Sequence, residues 1–178
     1  RLGLGLDTHP TKVQAMGGMF VHQDDRETPN VHAAAFQWAG REVLVEFEVR
    51  SLYSNYEAGM GDVFQFERGK KGDSCGVVFY GSKGYMVMPD YLSYHTFLGG
   101  EKERGPAGDC GKGECAGDLW ANMPHIRNFI AAVRSGKRED LHADVLEGHR
   151  STAVTHAGNV SYRLGRPASV AEMRDAVE

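Results

Sequence analysis

The sequence is poor in cysteine. Three in 178 residues is an odd count and makes no disulfide framework. Chains that make so little use of cysteine suit a reducing compartment, so the expected location is the cytoplasm, or outside it if an upstream segment carried a signal. There is no basic excess either: 20 Lys and Arg against 24 Asp and Glu leave a net charge of −4. Phosphate backbones need a concentrated basic surface, so nucleic acid is excluded as a partner. No apolar run approaches the roughly 20 residues that span a bilayer, which argues against a membrane role. The chain has no P-loop, no H-E-x-x-H motif, no Ser-His-Asp arrangement, and no carboxylate pair whose spacing singles out glycoside hydrolysis. Gly3-Leu4-Gly5 lacks the third glycine, the preceding strand and the following helix of a dinucleotide loop. Cys110 and Cys115, with Asp109 and Glu114 beside them and Cys75 far off, fall short of a four-ligand zinc set, so no metal is expected.

What the chain does have is an ordinary globular composition, 41% hydrophobic and 25% charged, which suggests one domain spanning residues 1–178. Its clearest signal lies between His125 and Arg166. Ile126, Phe129, Ile130 and Val133 stand at i, i+3, i+4, i+7, the spacing of one helical face, with Pro124 at the start and Gly136 at the end. A second helix opens on Asp144 and Glu147, an acidic form of the capping box, and closes at Gly165 and Pro167. Its apolar sector reads Leu146, Ala153, Ala157, Val160 and Leu164. Beside that sector runs a polar line at steps of three and four: His149, Thr152, His156, Asn159 and Arg163.

Upstream the pattern changes to strands. Val31–Trp38 and Glu42–Arg50 form a hairpin around Ala39-Gly40-Arg41, and Val43, Val45, Phe47 and Val49 alternate with charged neighbours. That alternation marks a sheet covered on one face. Lys12–Met16 and Met19–His22 are shorter β-like pieces. Phe64 and Phe66 suggest a short strand inside a polar loop. Val77–Tyr80 and Tyr85–Met88 form a second hairpin, and Tyr91–Leu98 a further strand. Gly99–Gly117 reads as a flexible glycine-rich loop, and Ser169 with Glu172 as the start of a last helix. Strands first and helices last predict an α+β fold: a mixed, mainly antiparallel, open-faced sheet with helices packed on one face.

In this order the pieces KVQAMGG, DDRETPN, VEFEVR, VVFYGSKGYMVM, HIRNFIAAVRSGKR and GHRSTAVTHAGNVSYRLGR resemble the C-terminal domain of the glucose–fructose oxidoreductase / inositol dehydrogenase / MocA (Gfo/Idh/MocA) family. The resemblance covers nearly the whole chain and is most specific in the final helix pair. It implies a substrate-binding and oligomerisation domain of an NAD(P)-dependent oxidoreductase acting on a sugar, polyol or related compound. In that family an N-terminal Rossmann domain holds NAD or NADP, and an Asp-x-x-x-His-like motif lies on the joining helix. Neither matches a position here. Arg1–Leu4 looks like the tail of that joining helix, which implies that this chain binds no nicotinamide and is inactive by itself.

The resemblance leaves substrate contacts as this chain's chemistry, since hydride transfer needs a nicotinamide and a proton acceptor that it lacks. Arg50, Tyr53 and Asn55 are the planar hydrogen-bonding and aromatic types that suit a polyol, or else a solvated strand end and loop. His149, His156, Asn159 and Arg163, with His125 and Asn128, either line an interdomain cleft or tie their helices to nearby backbone. The uncovered sheet face predicts a homo-oligomer. Two other readings are a free-standing carbohydrate-binding or scaffold module without catalysis and, more weakly, part of an NAD-dependent glycosidase-like enzyme.

Overall fold

The computed structural model describes residues 1–20, 25–50, 76–89, 93–109, 122–166 and 172. Seven strands run in chain order: β1 Lys12–Gly18, β2 Val31–Gln37, β3 Leu44–Arg50, β4 Val77–Gly81, β5 Gly84–Met88, β6 Ser93–Leu98 and β7 Glu103–Asp109. Two helices follow, α1 Met123–Ser135 and α2 Val145–Leu164. The strands form one sheet of order β1-β2-β3 and another of order β4-β5-β6-β7, and every pairing is antiparallel. The α+β expectation holds, with strands preceding helices. The chain divides into two compact units, Arg1–Leu52 with Ala143–Glu178, and Tyr53–His142.

In the first unit the side-chain alternation decides which face is covered. Val13 and Ala15 on β1, with His32, Ala34 and Phe36 on β2, are buried beneath α2. Leu6 and Trp38 complete this core, and Val43, Val45, Val154, Val160 and Tyr162 pack around it. On β3, Phe47 and Val49 lie on the covered side but stay 50% and 42% exposed, because α2 contacts the sheet chiefly along β1. Gln14, Met16, Ala33, Ala35, Glu46 and Glu48 point the other way and form the uncovered face.

The second helix begins and ends where the sequence places it. Asp144 Oδ1 accepts from the Leu146 N–H at 2.8 Å, and Gly165 takes a left-handed φ of 64°. The reciprocal arm of the capping box is not made: the two Glu147 oxygens accept from Arg1 and Arg150 instead. The buried stripe also differs from the expected one. Ala157, Gly158 and Ser161 are buried, with Val154 and Val160 beside them, while Leu146 and Leu164 are each 41% exposed. At 100° per residue the helix is turned about 80° from the sector that the large apolar residues define. Small residues take the line of closest approach because they let the helix backbone come near the sheet.

Ser161 shows what that approach achieves. Its hydroxyl, fully buried, accepts from the Ala15 N–H at 3.0 Å and donates to the Arg166 carbonyl at 3.0 Å. One side chain thus satisfies a donor on the edge strand β1 and a carbonyl beyond the end of α2. Asn30 works similarly before β2, accepting from the Phe20 N–H at 2.8 Å and donating to the Phe20 carbonyl at 2.7 Å.

In the second unit, β4 and β5 turn at Ser82-Lys83, and Tyr80, Tyr85 and Phe97 lie opposite one another on successive strands. The Tyr85 and Phe97 rings stack at 4.8 Å. β7 corrects the expectation of a loop over Gly99–Gly117, as Glu103–Asp109 is a strand with a register shift against β6 between His95 and Phe97. Its glycines weaken the strand signal, but a Cβ at Gly108 would fall 2.4 Å from Tyr94 Cε1, so the partner's ring occupies that space. On α1, Asn128 donates to the Asp140 carbonyl at 2.7 Å and accepts from the His142 N–H at 2.9 Å. The stripe Ile126, Phe129, Ile130 and Val133 is 43–65% exposed.

Removing the Ser161 hydroxyl leaves two backbone groups without their partner. Ser161→Ala is expected to lower unfolding stability by about 1–3 kcal/mol, measured by urea denaturation with an unchanged slope.

Candidate functional site

The sequence candidates fall on different surfaces. Arg50 ends β3 opposite Val31, on the face turned away from α2, and pairs with Glu48 at 3.0 Å. Tyr53 and Asn55 lie outside the described residues, as do Cys75, Cys110, Cys115, Phe64 and Phe66. His149, His156 and Arg163 are exposed on α2. Because the buried line of α2 runs through Val154, Ala157, Gly158 and Ser161, the polar line lies about 180° from the sheet rather than beside the core. The sheet therefore stands between Arg50 and this polar line, and the two do not converge.

Along α2 the polar side chains differ in their surroundings. His149 meets His9 edge-on, ring centroids 6.2 Å apart. Arg163 pairs with Glu27 at 3.5 Å, an exposed contact of little energy. His156 makes no hydrogen bond or ion pair among the described residues. Asn128, also named from the sequence, is engaged with backbone through its two bonds across the Ser135–His142 connection.

Two shallow hollows occur in the first unit. One, about 520 Å³, lies at the β2–β3 turn and is lined by Thr11, Lys12, Gln37, Trp38, Arg41 and Glu42 among others. The second, about 450 Å³, lies on the sheet over Ala33 and Ala35, between Met16 and the carboxylates of Glu46 and Glu48. Among the described residues no three His, Cys, Asp or Glu side chains group as metal ligands. Gly3 lies in the 3-10 turn Leu2–Leu4.

Three polar features were missed in the sequence. His32 is buried, 7% exposed, with its ring edge-on to Tyr162 at 5.8 Å and Nε2 without a hydrogen-bond partner. Burial holds its pKa below the usual histidine value. Period-two reading of VHAAAFQW places His32 with Ala34, Phe36 and Trp38, so the signal was present. Arg1 donates to the Leu6 carbonyl at 2.6 Å and to Glu147, with its side chain 5% exposed. Trp38 Nε1 donates to the Thr8 carbonyl at 2.9 Å. Neither of these two partnerships has a local sequence signature.

No family model matches the sequence, and no curated protein matches it. Solved structures do share its fold. An oxidoreductase-named protein of Bacillus subtilis, yvaA, is 13% identical with a TM-score of 0.53, over 94% of this chain and 48% of its own. A Klebsiella pneumoniae protein, also named as an oxidoreductase, is 13% identical with a TM-score of 0.52, over 98% of this chain and 49% of its own. The WlbA dehydrogenase of Bordetella pertussis, solved with NADH and UDP-GlcNAcA, reaches 0.48 at 13% identity, over 93% of this chain and 41% of its own. The chain thus spans just under half the length of the structures it matches. At this identity the likeness establishes the fold, which agrees with the resemblance read from the motifs.

His156 is exposed and makes no hydrogen bond or ion pair among the described residues, so His156→Ala is expected to change stability by less than about 0.5 kcal/mol in chemical denaturation. Asn128→Ala, which removes two exposed hydrogen bonds to backbone, is expected to cost about 0.5–1.5 kcal/mol in the same measurement.

Proposed function

We propose that the chain is the C-terminal, substrate-binding and oligomerisation domain of an NAD(P)-dependent oxidoreductase of Gfo/Idh/MocA type, acting on a sugar, polyol or related compound. The observation that carries this reading is the agreement of two independent signals. The ordered motifs from KVQAMGG to RLGR resemble one domain of that family. The fold matches nearly all of this chain onto just under half of two oxidoreductase-named proteins.

On this reading the nicotinamide is held by a Rossmann domain, and this chain contributes walls and contacts rather than hydride chemistry. The polar line His149, His156 and Arg163 is presented on the solvent side of α2, where hydroxyl-rich ligands can be met by imidazole and guanidinium donors. Arg50, on the opposite face, serves a different contact. The uncovered face, with Met16 71% and Leu44 57% exposed around small Ala33 and Ala35, is the surface for self-association.

Titration of this chain with NADH or NADPH, followed by nicotinamide fluorescence, is expected to show no binding, whereas a polypeptide that also carries the Rossmann domain binds one of them. Saturable binding to the chain alone would sink the assignment. Sedimentation equilibrium at high micromolar concentration is expected to give a dimer or larger species. Ala35→Arg, which puts a charge in the middle of the uncovered face, is expected to shift it to monomer.

A further inference from the structure

We propose that His32 is an acid-sensitive joint: protonation of its imidazole, enclosed between β1, β2 and α2, loosens α2 from the sheet. The ring has no room to adapt. On one side lies Gly17, where a Cβ would sit 3.1 Å from His32 Cδ2 and 2.5 Å from the Val31 carbonyl oxygen, so only glycine fits. On the helix side, the Cβ position of Gly158 lies 3.5 Å from His32 Cε1, and the Tyr162 ring stands edge-on at 5.8 Å. Nε2 is buried and has no hydrogen-bond partner among the described residues, so an added proton there finds no acceptor among them.

Among the described residues packed against the ring, none brings a compensating charge. β1 presents Gly17, and β3 presents Val49 opposite His32. From α2 the Tyr162 ring meets it, edge-on. Arg163, next along α2, is exposed and pairs with Glu27. Glu48 and Arg50 flank Val49 on β3, but strand alternation turns both to the other face, where they pair with each other. An imidazolium at this position is therefore relieved by separation of the helix from the sheet, which admits water to the ring.

The direction in pH follows from linkage. Burial lowers the folded-state pKa of His32 below 6.5, so the unfolded or opened state takes up the proton first as pH falls. The docking of α2 is fully supported above about pH 6.5 and weakens progressively as pH drops toward the folded-state value. Because α2 carries His149, His156 and Arg163, the support of that polar line becomes pH-dependent through a residue that is not part of it.

Hydrogen exchange read by mass spectrometry, corrected for intrinsic rates, tests this at about pH 7.5 and about pH 5.0. Peptides from residues 151–164 are expected to lose protection at the lower pH, by about tenfold for each unit by which the pKa is displaced. In His32→Gln and His32→Phe the change is expected to fall within about twofold. Equal acid sensitivity in both variants, or none in the unaltered chain, overturns the proposal. Should both variants fail to fold, the His32 Cε1 resonance of the unaltered chain is titrated by NMR. A midpoint below 6.5 that coincides with shifts in the α2 amides supports the joint; titration of His32 with α2 unmoved overturns it.

Discussion

The close seating of α2 on β1 and β2 is the contact on which the first unit depends. It is made by small residues: Ala15 and Ala34 on the sheet, Ala157, Gly158 and Ser161 on the helix. Small side chains bury little area each, so their value is geometric. They bring two backbones within reach of one hydroxyl, and Ser161 then joins the edge of the sheet to the end of the helix. An edge strand with an open N–H invites pairing with another chain, and here that donor is occupied from within. The same short separation leaves the His32 ring enclosed against Tyr162.

A second tie holds the beginning of the described chain to the beginning of the helix. Arg1 reaches Glu147, Ser151 and the Leu6 carbonyl, while Leu6 and Trp38 are buried and Trp38 bonds Thr8. A nearly buried guanidinium is costly to desolvate, and its ion pair alone need not repay that cost. Its geometry matters more: three acceptors fix where the segment before β1 runs. Glu147 is thereby diverted from its capping role, and Asp144 caps the helix without it.

Much of this was legible in advance. Pattern and punctuation, namely the alternation in β3, the Gly136 and Gly165 stops and the Asp144 cap, located the elements within a residue or two. Helix orientation was not legible, because hydrophobic weighting favours Leu146 and Leu164, whereas docking selected the line with least bulk. β7 was hidden for a related reason, its glycines being places where the partner strand's side chains lie across the backbone. Among the site candidates, period and spacing could put His149, His156 and Arg163 on one line, but not decide which way that line faces. Arg50 was easier, since alternation groups it with Glu46 and Glu48 on the charged side of β3, which is the side that α2 leaves uncovered.

That limit bears on the chemistry. A pleated sheet puts successive side chains on opposite faces, and layers packed on it stand about 10 Å away. Arg50 and the α2 polar line are separated by the sheet and by the thickness of the helix as well. No motion short of unfolding brings them to one ligand. Any site that uses His149, His156 and Arg163 must therefore be closed by something approaching the solvent side of α2, and any site that uses Arg50 by something approaching the uncovered face. The two surfaces are thus independent, and a ligand held at one is out of reach of the other.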